Sequence, residues 1–177
     1  MTIVNQSAVI QIDRIAAETI RVPIVGTSPL IVHNWSEKSK RQMLEAQQGK
    51  KRLKEARDPN AEFEAAFYRI TDPTSGELSY GFPVTAFKAA TVGAARFYGK
   101  DISMTALRQL MFMRGILTEG DPQQLVRIEG EPRMREDMVR VGMGSSDLRY
   151  RPEFPTWSAL LEVTFITSSI SRQSVLS

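Results

Sequence analysis

The sequence predicts a single α+β domain in which helices cover one face of an antiparallel sheet. Three observations lead to this class: strand-like alternation near the N-terminus, two helical stretches in the first two thirds, and strand-like alternation in the last third. A chain of 177 residues is long enough for one domain with its own core. We therefore expect residues 1–177 to form one domain, with residues 1–16 as a flexible N-terminal arm.

Period-two alternation of apolar residues predicts a first strand over 19–25, and an apolar run at 30–32 resumes it after a turn. Ser36 is the predicted N-cap of a helix that runs to Arg57. This helix is the most basic stretch of the chain, and its basic residues are Lys38, Lys40, Arg41, Lys50, Lys51, Arg52, Lys54 and Arg57.

The middle of the chain predicts a hairpin between two helices. Helical composition indicates a short helix over 61–66, and a turn-rich segment between two apolar runs indicates a hairpin over 67–82. A second long helix is expected over 84–98. Pro83 suits its first position and Gly99 suits its end.

The rest of the chain predicts one more short helix, over 105–111, and then strands over 125–128, 133–141 and 160–166. A last helical pattern begins at residue 170 and stops at its second turn, where the sequence ends. We therefore expect the natural protein to continue beyond this point.

The resulting order is strand, helix, strand, strand, helix, then further strands. With one more strand after the second helix, this is the split βαβ arrangement of ferredoxin-like folds, with two helices on one face and additional C-terminal β-hairpin elements. Such a sheet leaves its other face open, as proteins that bind single-stranded nucleic acid on a sheet require.

Composition excludes several classes of protein. The chain has no cysteine and a single histidine, His33, so thiolate metal sites, iron–sulfur clusters and disulfides are excluded. A net charge of +3 and an isoelectric point near 9.3 favour acidic partners. No segment has the pattern of a signal peptide or a membrane span, so we expect a cytoplasmic protein without a membrane partner.

No set of residues has the spacing of a known catalytic motif, and we predict neither catalytic residues nor a cofactor. Glu136, Asp137 and Asp147 are the acids that a metal-dependent nuclease would use. Neighbouring residues of a strand point to opposite faces, so the first two cannot both hold one ion, and pairing with nearby arginines is the favoured interpretation. The nuclease remains the second alternative.

Basic and aromatic residues form the stronger signal. Arginine binds phosphate through two parallel hydrogen bonds, and aromatic rings stack on unpaired bases. The predicted nucleic-acid-binding residues are Lys88 and Arg96 on the second long helix, together with Arg135, Arg140, Arg149, Tyr150, Arg151 and Trp157.

Two segments resemble the repeat-associated (RAMP) superfamily, the ferredoxin-like backbone subunits of CRISPR effector complexes. They are residues 22–31, which are similar to its first strand, and residues 80–90 followed by 94–96, which are similar to its strand, proline and Ala-rich helix. The resemblance implies that Lys88 and Arg96 contact the backbone of a guide RNA. The chain has no counterpart of the superfamily's C-terminal glycine-rich loop.

Most of the chain, including residues 134–140 and 147–152, also resembles proteins of phages and prophages to which no activity is assigned. This resemblance implies a protein of a bacterial host cell. We expect a non-catalytic protein that binds single-stranded RNA or DNA through the phosphate backbone and assembles along the strand as a homo-oligomer. The main alternative is a structural or host-interaction protein of a phage that binds no nucleic acid.

Overall fold

The computed structural model describes residues 14–34, 37–49, 57–72, 74–99, 101–118, 121–140, 142, 144 and 146–176. The strands in this part of the chain are β1 (Ala17–Val25), β2 (Leu30–Ile31), β3 (Tyr68–Thr71), β4 (Leu78–Pro83), β5 (Met111–Arg114), β6 (Ile116–Thr118), β7 (Asp121–Glu129), β8 (Arg133–Arg140), β9 (Ser146–Phe154) and β10 (Ser158–Ile166). The helices are α1 (Glu37–Gln47), α2 (Pro59–Ala65), α3 (Val84–Ala94), α4 (Met104–Leu110) and α5 (Arg172–Leu176).

Seven strands form a large sheet whose main order is β1-β10-β7-β4-β3. β5 pairs with β10 and β6 pairs with β7, and every pairing is antiparallel. The α+β class predicted from the sequence is therefore confirmed. The strands predicted at 19–25, 125–128 and 160–166 lie within β1, β7 and β10.

The strand order departs from the ferredoxin-like arrangement, because β10 and β7 separate β1 from the β3–β4 hairpin. β10 pairs with β1 over its whole length and places Val163 opposite Ile20 and Leu161 opposite Val22. The buried face of β10 carries Ala159, Leu161, Val163 and Phe165, and its position beside the apolar row of β1 favours this pairing. The order of elements along the chain does not show this long-range pairing.

One face of the large sheet forms the core with α3 and α4. Val92 of α3 and Leu107 of α4 belong to the same buried cluster as Leu161, Val163 and Phe165 of β10. α3 and α4 are therefore the two helices that cover the sheet. The sequence had predicted that the basic helix beginning after Ser36 would be one of them. The opposite face is open to solvent along β1 and β10, where Arg21, Val25 and Leu160 are exposed.

The first long helix is shorter than predicted. α1 ends at Gln47, and Gly49 follows with a φ of 75°, a conformation that ends helices and favours glycine. Ser36 and residues 50–56, which carry four of the predicted basic side chains, lie outside the described residues. α2 begins at Pro59, where the Asp58 carboxylate accepts hydrogen bonds from two backbone N–H groups at 3.0 and 3.2 Å.

The other helices follow the predictions with shifted ends. α3 gives way at residue 95 to a 3₁₀ turn that ends before Gly99, whose φ is 64°. The Ser103 hydroxyl caps α4 by accepting from the N–H of Ala106 at 3.0 Å. α5 begins at Arg172 instead of residue 170, because the Ser171 hydroxyl accepts the N–H of Ser174 at 3.1 Å.

A second, three-stranded sheet has the order β2-β9-β8. Its β8–β9 hairpin supplies the predicted C-terminal hairpin element, although β9 was not predicted as a strand. Residues 1–13 of the expected N-terminal arm lie outside the described residues, whereas the Ala16 carbonyl accepts the N–H of Thr167 at 3.0 Å. No helix in the described ranges is long and apolar enough to cross a membrane.

Candidate nucleic-acid interface

The arginine-rich half of the chain folds into a ladder of ion pairs on one face of the β8–β9 hairpin. The register places Arg133 opposite Glu153, Arg135 opposite Arg151 and Asp137 opposite Arg149. These side chains share a face because alternate residues of a strand point the same way. Two of these pairs bring opposite charges together, and Arg135 pairs with Asp137 and Glu153 on the same face.

Glu153 is the anion at the base of this ladder. Its side chain is buried, and its two oxygens accept from Nε of Arg133 at 2.6 Å and from Nη1 of Arg135 at 2.9 Å. The two guanidinium groups hold the pKa of the Glu153 carboxyl below its ordinary value. A buried carboxylate held in this way fixes the position of both arginines.

A second junction ties the hairpin to α2. Arg57 donates from Nε to Glu62 at 2.7 Å and from Nη1 to Asp147 at 2.5 Å. Arg149 also reaches Asp147, at 3.5 Å, and Arg151 reaches Asp137 at the same distance. Across the whole ladder, five arginines meet four carboxylates.

Three of the predicted phosphate-binding residues therefore have carboxylate partners within the protein, namely Arg135, Arg149 and Arg151. Their role in binding stays a prediction, and a phosphate would have to compete with those partners. The same contacts confirm the interpretation that Asp137 and Asp147 pair with arginines. Within the described residues, no group of three His, Asp or Glu side chains is placed to hold a metal ion.

The outer face of the hairpin is different in character. Met134, Met138 and Leu148 lie there exposed to solvent, and the predicted base-stacking residue Tyr150 is half-buried on the same side. Arg140 is exposed at the end of β8 and has no ion pair among the described residues. Of the predicted residues on this hairpin, Arg140 is thus the cation best placed to meet a phosphate.

Lys88 and Arg96 lie on the segment whose resemblance implied backbone contacts. The Lys88 ammonium stands 5.4 Å from the ring centre of Phe112, an exposed residue of β5, in cation–π geometry. Arg96 is exposed in the 3₁₀ turn after α3, and the side chain of its neighbour Phe97 is 90% exposed. Lys88 is therefore half-buried against an exposed aromatic ring, and Arg96 is exposed next to Phe97 in the sequence.

Trp157 is the predicted stacking residue whose surroundings indicate a structural role. Its indole Nε1 donates to the carbonyl oxygen of Ser28 at 2.9 Å, and its ring centre lies 6.3 Å from that of Phe87. The ring also occupies the place where a Cβ on Gly26 would lie. These contacts hold the turn after β1 against the start of β10.

Cations that the sequence analysis did not select lie on the open face of the large sheet. Arg21 of β1 and Arg114 of β5 flank Glu162 of β10, because both residues are register partners of Glu162. Among the described residues of this row, the ion pair joins Arg21 to Glu162 at 3.8 Å. Glu162 is thus flanked by two arginines and pairs with Arg21, and Arg127 of β7 lies on the same side of the sheet.

Arg114 and Arg127 are exposed and make no ion pair with any described residue. Arg127 acts electrostatically on Asp72. Hydrogen bonds from the backbone N–H groups of Ser75 and Thr74 lower the pKa of Asp72, and Arg127 adds a smaller contribution. The open face therefore carries more positive charge that lacks a close partner than the hairpin ladder does.

His33 lies at the junction of the two sheets and lacks the features of a general base. Burial first, and then the charges of Arg151 and Arg149, lower the pKa of its imidazole below 6.5. Its Nδ1 atom and Nε of Arg151 are both buried without a hydrogen-bond partner among the described residues. No carboxylate among the described residues forms a hydrogen bond with the ring, as a catalytic histidine would need.

Sequence patterns contained part of the signal for the open face. The alternation in β1 places Arg21 opposite the apolar face, and Glu162 has the same position in β10. The sequence pattern did not predict β5, because this strand is short and directly follows α4. Arg114 was therefore not recognised as a strand residue. The row of three charges exists only once β1, β10 and β5 are side by side.

The chain matches no protein-family model, no curated protein and no solved structure.

Proposed function

We propose that this protein is a non-catalytic binder of single-stranded nucleic acid that contacts the phosphate backbone on the open face of its large sheet. The observation that carries the proposal is the row in which Arg21 and Arg114 flank Glu162 while only Arg21, among the described residues, forms an ion pair with it. Arg127 adds a third guanidinium without an ion pair on the same side. A strand of phosphates would supply the anions that this surface lacks.

Lys88 extends the proposed surface beyond the sheet, and Arg96 in the turn after α3 is kept as a second phosphate-binding residue. Lys88 already lies over the exposed ring of Phe112, whose backbone is two residues before Arg114 on β5. Phe112 and Arg114 point to the same side of the strand, since they are two residues apart. An aromatic ring between cations is the combination that binds unpaired bases and their phosphates.

The resemblance to the RAMP superfamily supports RNA as the partner in this proposal, with Lys88 and Arg96 as contacts to its backbone. It receives no support from the strand order, since β10 and β7 lie between β1 and β4. A phage or prophage origin and a site of action in a bacterial cell are further parts of the proposal.

Fluorescence anisotropy with a labelled oligonucleotide of about 30 nucleotides, as RNA and as DNA, tests the function directly. We expect salt-sensitive binding at micromolar protein, with the logarithm of the association constant falling by roughly 0.7 per neutralised phosphate for each unit in log salt. Absence of salt-sensitive binding to both strands would refute the proposal. A double-stranded competitor of the same length shows whether the single strand is preferred.

A protein-binding role is the second candidate, and the outer face of the β8–β9 hairpin favours it. Met134, Met138 and Leu148 are exposed there, and β8 is an edge strand of its sheet. Purified protein with a high ratio of absorbance at the nucleic-acid maximum supports nucleic-acid binding. A defined oligomer that contains no nucleic acid and is insensitive to salt supports this second role instead.

A further inference from the structure

A groove opens on the free face of the large sheet where β10 separates from β7. β10 pairs with β7 only at Ser158 and Ala159, and its next partner on that side is β5, beginning at Glu162. Between these pairings the sheet has a gap next to Leu160. The resulting groove has a volume of about 730 Å³.

The bend that opens the groove occurs at Gly115. β5 pairs with β10, and one residue later β6 pairs with β7, so the chain crosses the gap at this point. A Cβ at Gly115 would lie 2.7 Å from the carbonyl oxygen of Leu125, which shows how closely the two backbones approach. Its N–H is held by the side-chain oxygen of Gln124 at 3.0 Å. The groove is therefore fixed by backbone contacts on this side.

The walls of the groove are apolar. Pro23 and Val25 of β1 form one side, Ile116 of β6 forms the other, and Leu160 of β10 lies between them. The side chain of Val25 is 77% exposed and that of Leu160 is 55% exposed. Such exposure of neighbouring apolar side chains in one concave place is typical of a ligand site, and the volume falls in the usual range for such sites.

The rim of the groove is charged. Arg21, Arg114 and Arg127 lie around it, together with Glu129 and Glu162. The arginines outnumber the acids, and only Arg21 has an ion pair, a long one to Glu162. A ligand that combines a flat apolar body with an anionic group fits this arrangement: the body lies against the walls and the anion meets a guanidinium. A carboxylate on the rim can in addition accept a hydrogen bond from an exocyclic amino group.

We propose that the groove holds one unstacked base of a single-stranded nucleic acid whose flanking phosphates lie on Arg21, Arg114 and Arg127. This inference rests on the proposed function and adds to it: the backbone contacts position the strand, and the groove makes binding depend on the presence of a base. The charge of the rim selects this occupant over an apolar peptide segment.

The test compares adenosine oligonucleotides of about 30 nucleotides with abasic strands that have the same number of phosphates, as RNA and as DNA. A base held in the groove makes the adenosine strand bind about tenfold more tightly than the abasic strand, measured by anisotropy at fixed salt. Equal, salt-sensitive binding of the two strands overturns the groove assignment and leaves backbone binding intact. Absence of binding to either overturns the proposed function itself.

A pair of variants locates the effect. Leu160→Ala removes an apolar wall of the groove, and Leu78→Ala removes a leucine of similar exposure, 58% against 55%, that does not line it. We expect Leu160→Ala to reduce binding of the adenosine strand several-fold and to leave the abasic strand unchanged, whereas Leu78→Ala changes neither. A result in which the two variants behave alike overturns the assignment to this groove. Circular dichroism of both variants checks that each is folded.

Discussion

Trp157 and Gly26 are packed so closely that the indole ring fills the space a β-carbon on residue 26 would need. A Cβ built on Gly26 would lie 2.0 Å from Nε1 of Trp157, and the backbone N–H of Gly26 donates to the carbonyl oxygen of Trp157 at 2.8 Å. The turn after β1 and the start of β10 are thus joined at one point. The choice of glycine here follows from packing and does not require a positive φ.

Gly26→Ala is expected to destabilise the protein by about 1–3 kcal/mol, because the indole or the turn must move to admit the methyl group. The free energy of unfolding from urea titration measures this. Gly93→Ala is the matched control: nothing lies within 4 Å of a Cβ there, and Gly93 is inside α3. Since alanine favours helix, the control should be unchanged or more stable by up to about 1 kcal/mol. Equal stability of the two variants would contradict the packing argument.

The Glu153 carboxylate should make the stability of the protein sensitive to acid. Hydrogen bonds from Arg133 and Arg135 lower its folded pKa. The unfolded chain therefore takes up the proton more readily, and the stabilisation is complete above the ordinary carboxyl pKa and disappears as the pH falls through the folded value. We expect Glu153→Gln to lower the thermal midpoint at neutral pH and the difference from the wild type to shrink in acid.

The control for this prediction is Glu136→Gln on the exposed outer face of the neighbouring strand, β8. Its thermal midpoint should follow that of the wild type at every pH. A difference between the wild type and Glu153→Gln that stays constant down to about pH 3 would show that the carboxylate is not held by the two arginines.

His33 offers a direct measurement, because it is the only histidine and gives a single titrating imidazole signal by NMR. Burial, Arg151 and Arg149 lower its pKa below 6.5 in the folded protein. As the pH falls, the histidine of the unfolded chain therefore binds its proton before that of the folded protein. The free energy of unfolding decreases from about pH 6.5 downwards, and this decrease ends below the folded pKa of His33. A folded pKa above 6.5 would contradict the described surroundings, and His33→Gln should weaken this part of the pH dependence.

The fold class and most strands could be predicted from the sequence, because alternation of apolar residues is a local signal. Which strands are neighbours in the sheet could not be predicted. The pairing of β10 with β1 joins residues as distant in sequence as Ala17 and Ile166, and a local pattern carries no information about such a pairing. The ends of the helices were missed where capping decided them, as at Asp58 and Gly49.

The sequence predicted that the candidate site is basic, but it did not predict which residues form the site. The sequence shows many arginines between residues 133 and 151, yet their accessibility depends on which carboxylates lie across the hairpin. Conversely, Arg21, Arg114 and Arg127 are far apart in sequence and meet only through the register of the large sheet. Charge density along a chain therefore predicted a basic protein, while strand pairing determines which of its cations lack partners.

The comparison of paired with unpaired arginines gives the sharpest prediction about binding. Arg114→Ala and Arg127→Ala remove exposed guanidinium groups that make no described ion pair. Each should weaken the binding of a single strand and reduce the slope of log affinity against log salt by about 0.7. Neither should lower the thermal midpoint by more than surface substitutions usually do.

Arg135→Ala should behave in the opposite way, since its guanidinium holds the carboxylates of Asp137 and Glu153. We expect it to lower the thermal midpoint and to leave the salt slope unchanged. If Arg135→Ala reduces the slope as Arg114→Ala does, the hairpin ladder takes part in binding and its arginines exchange their carboxylates for phosphates.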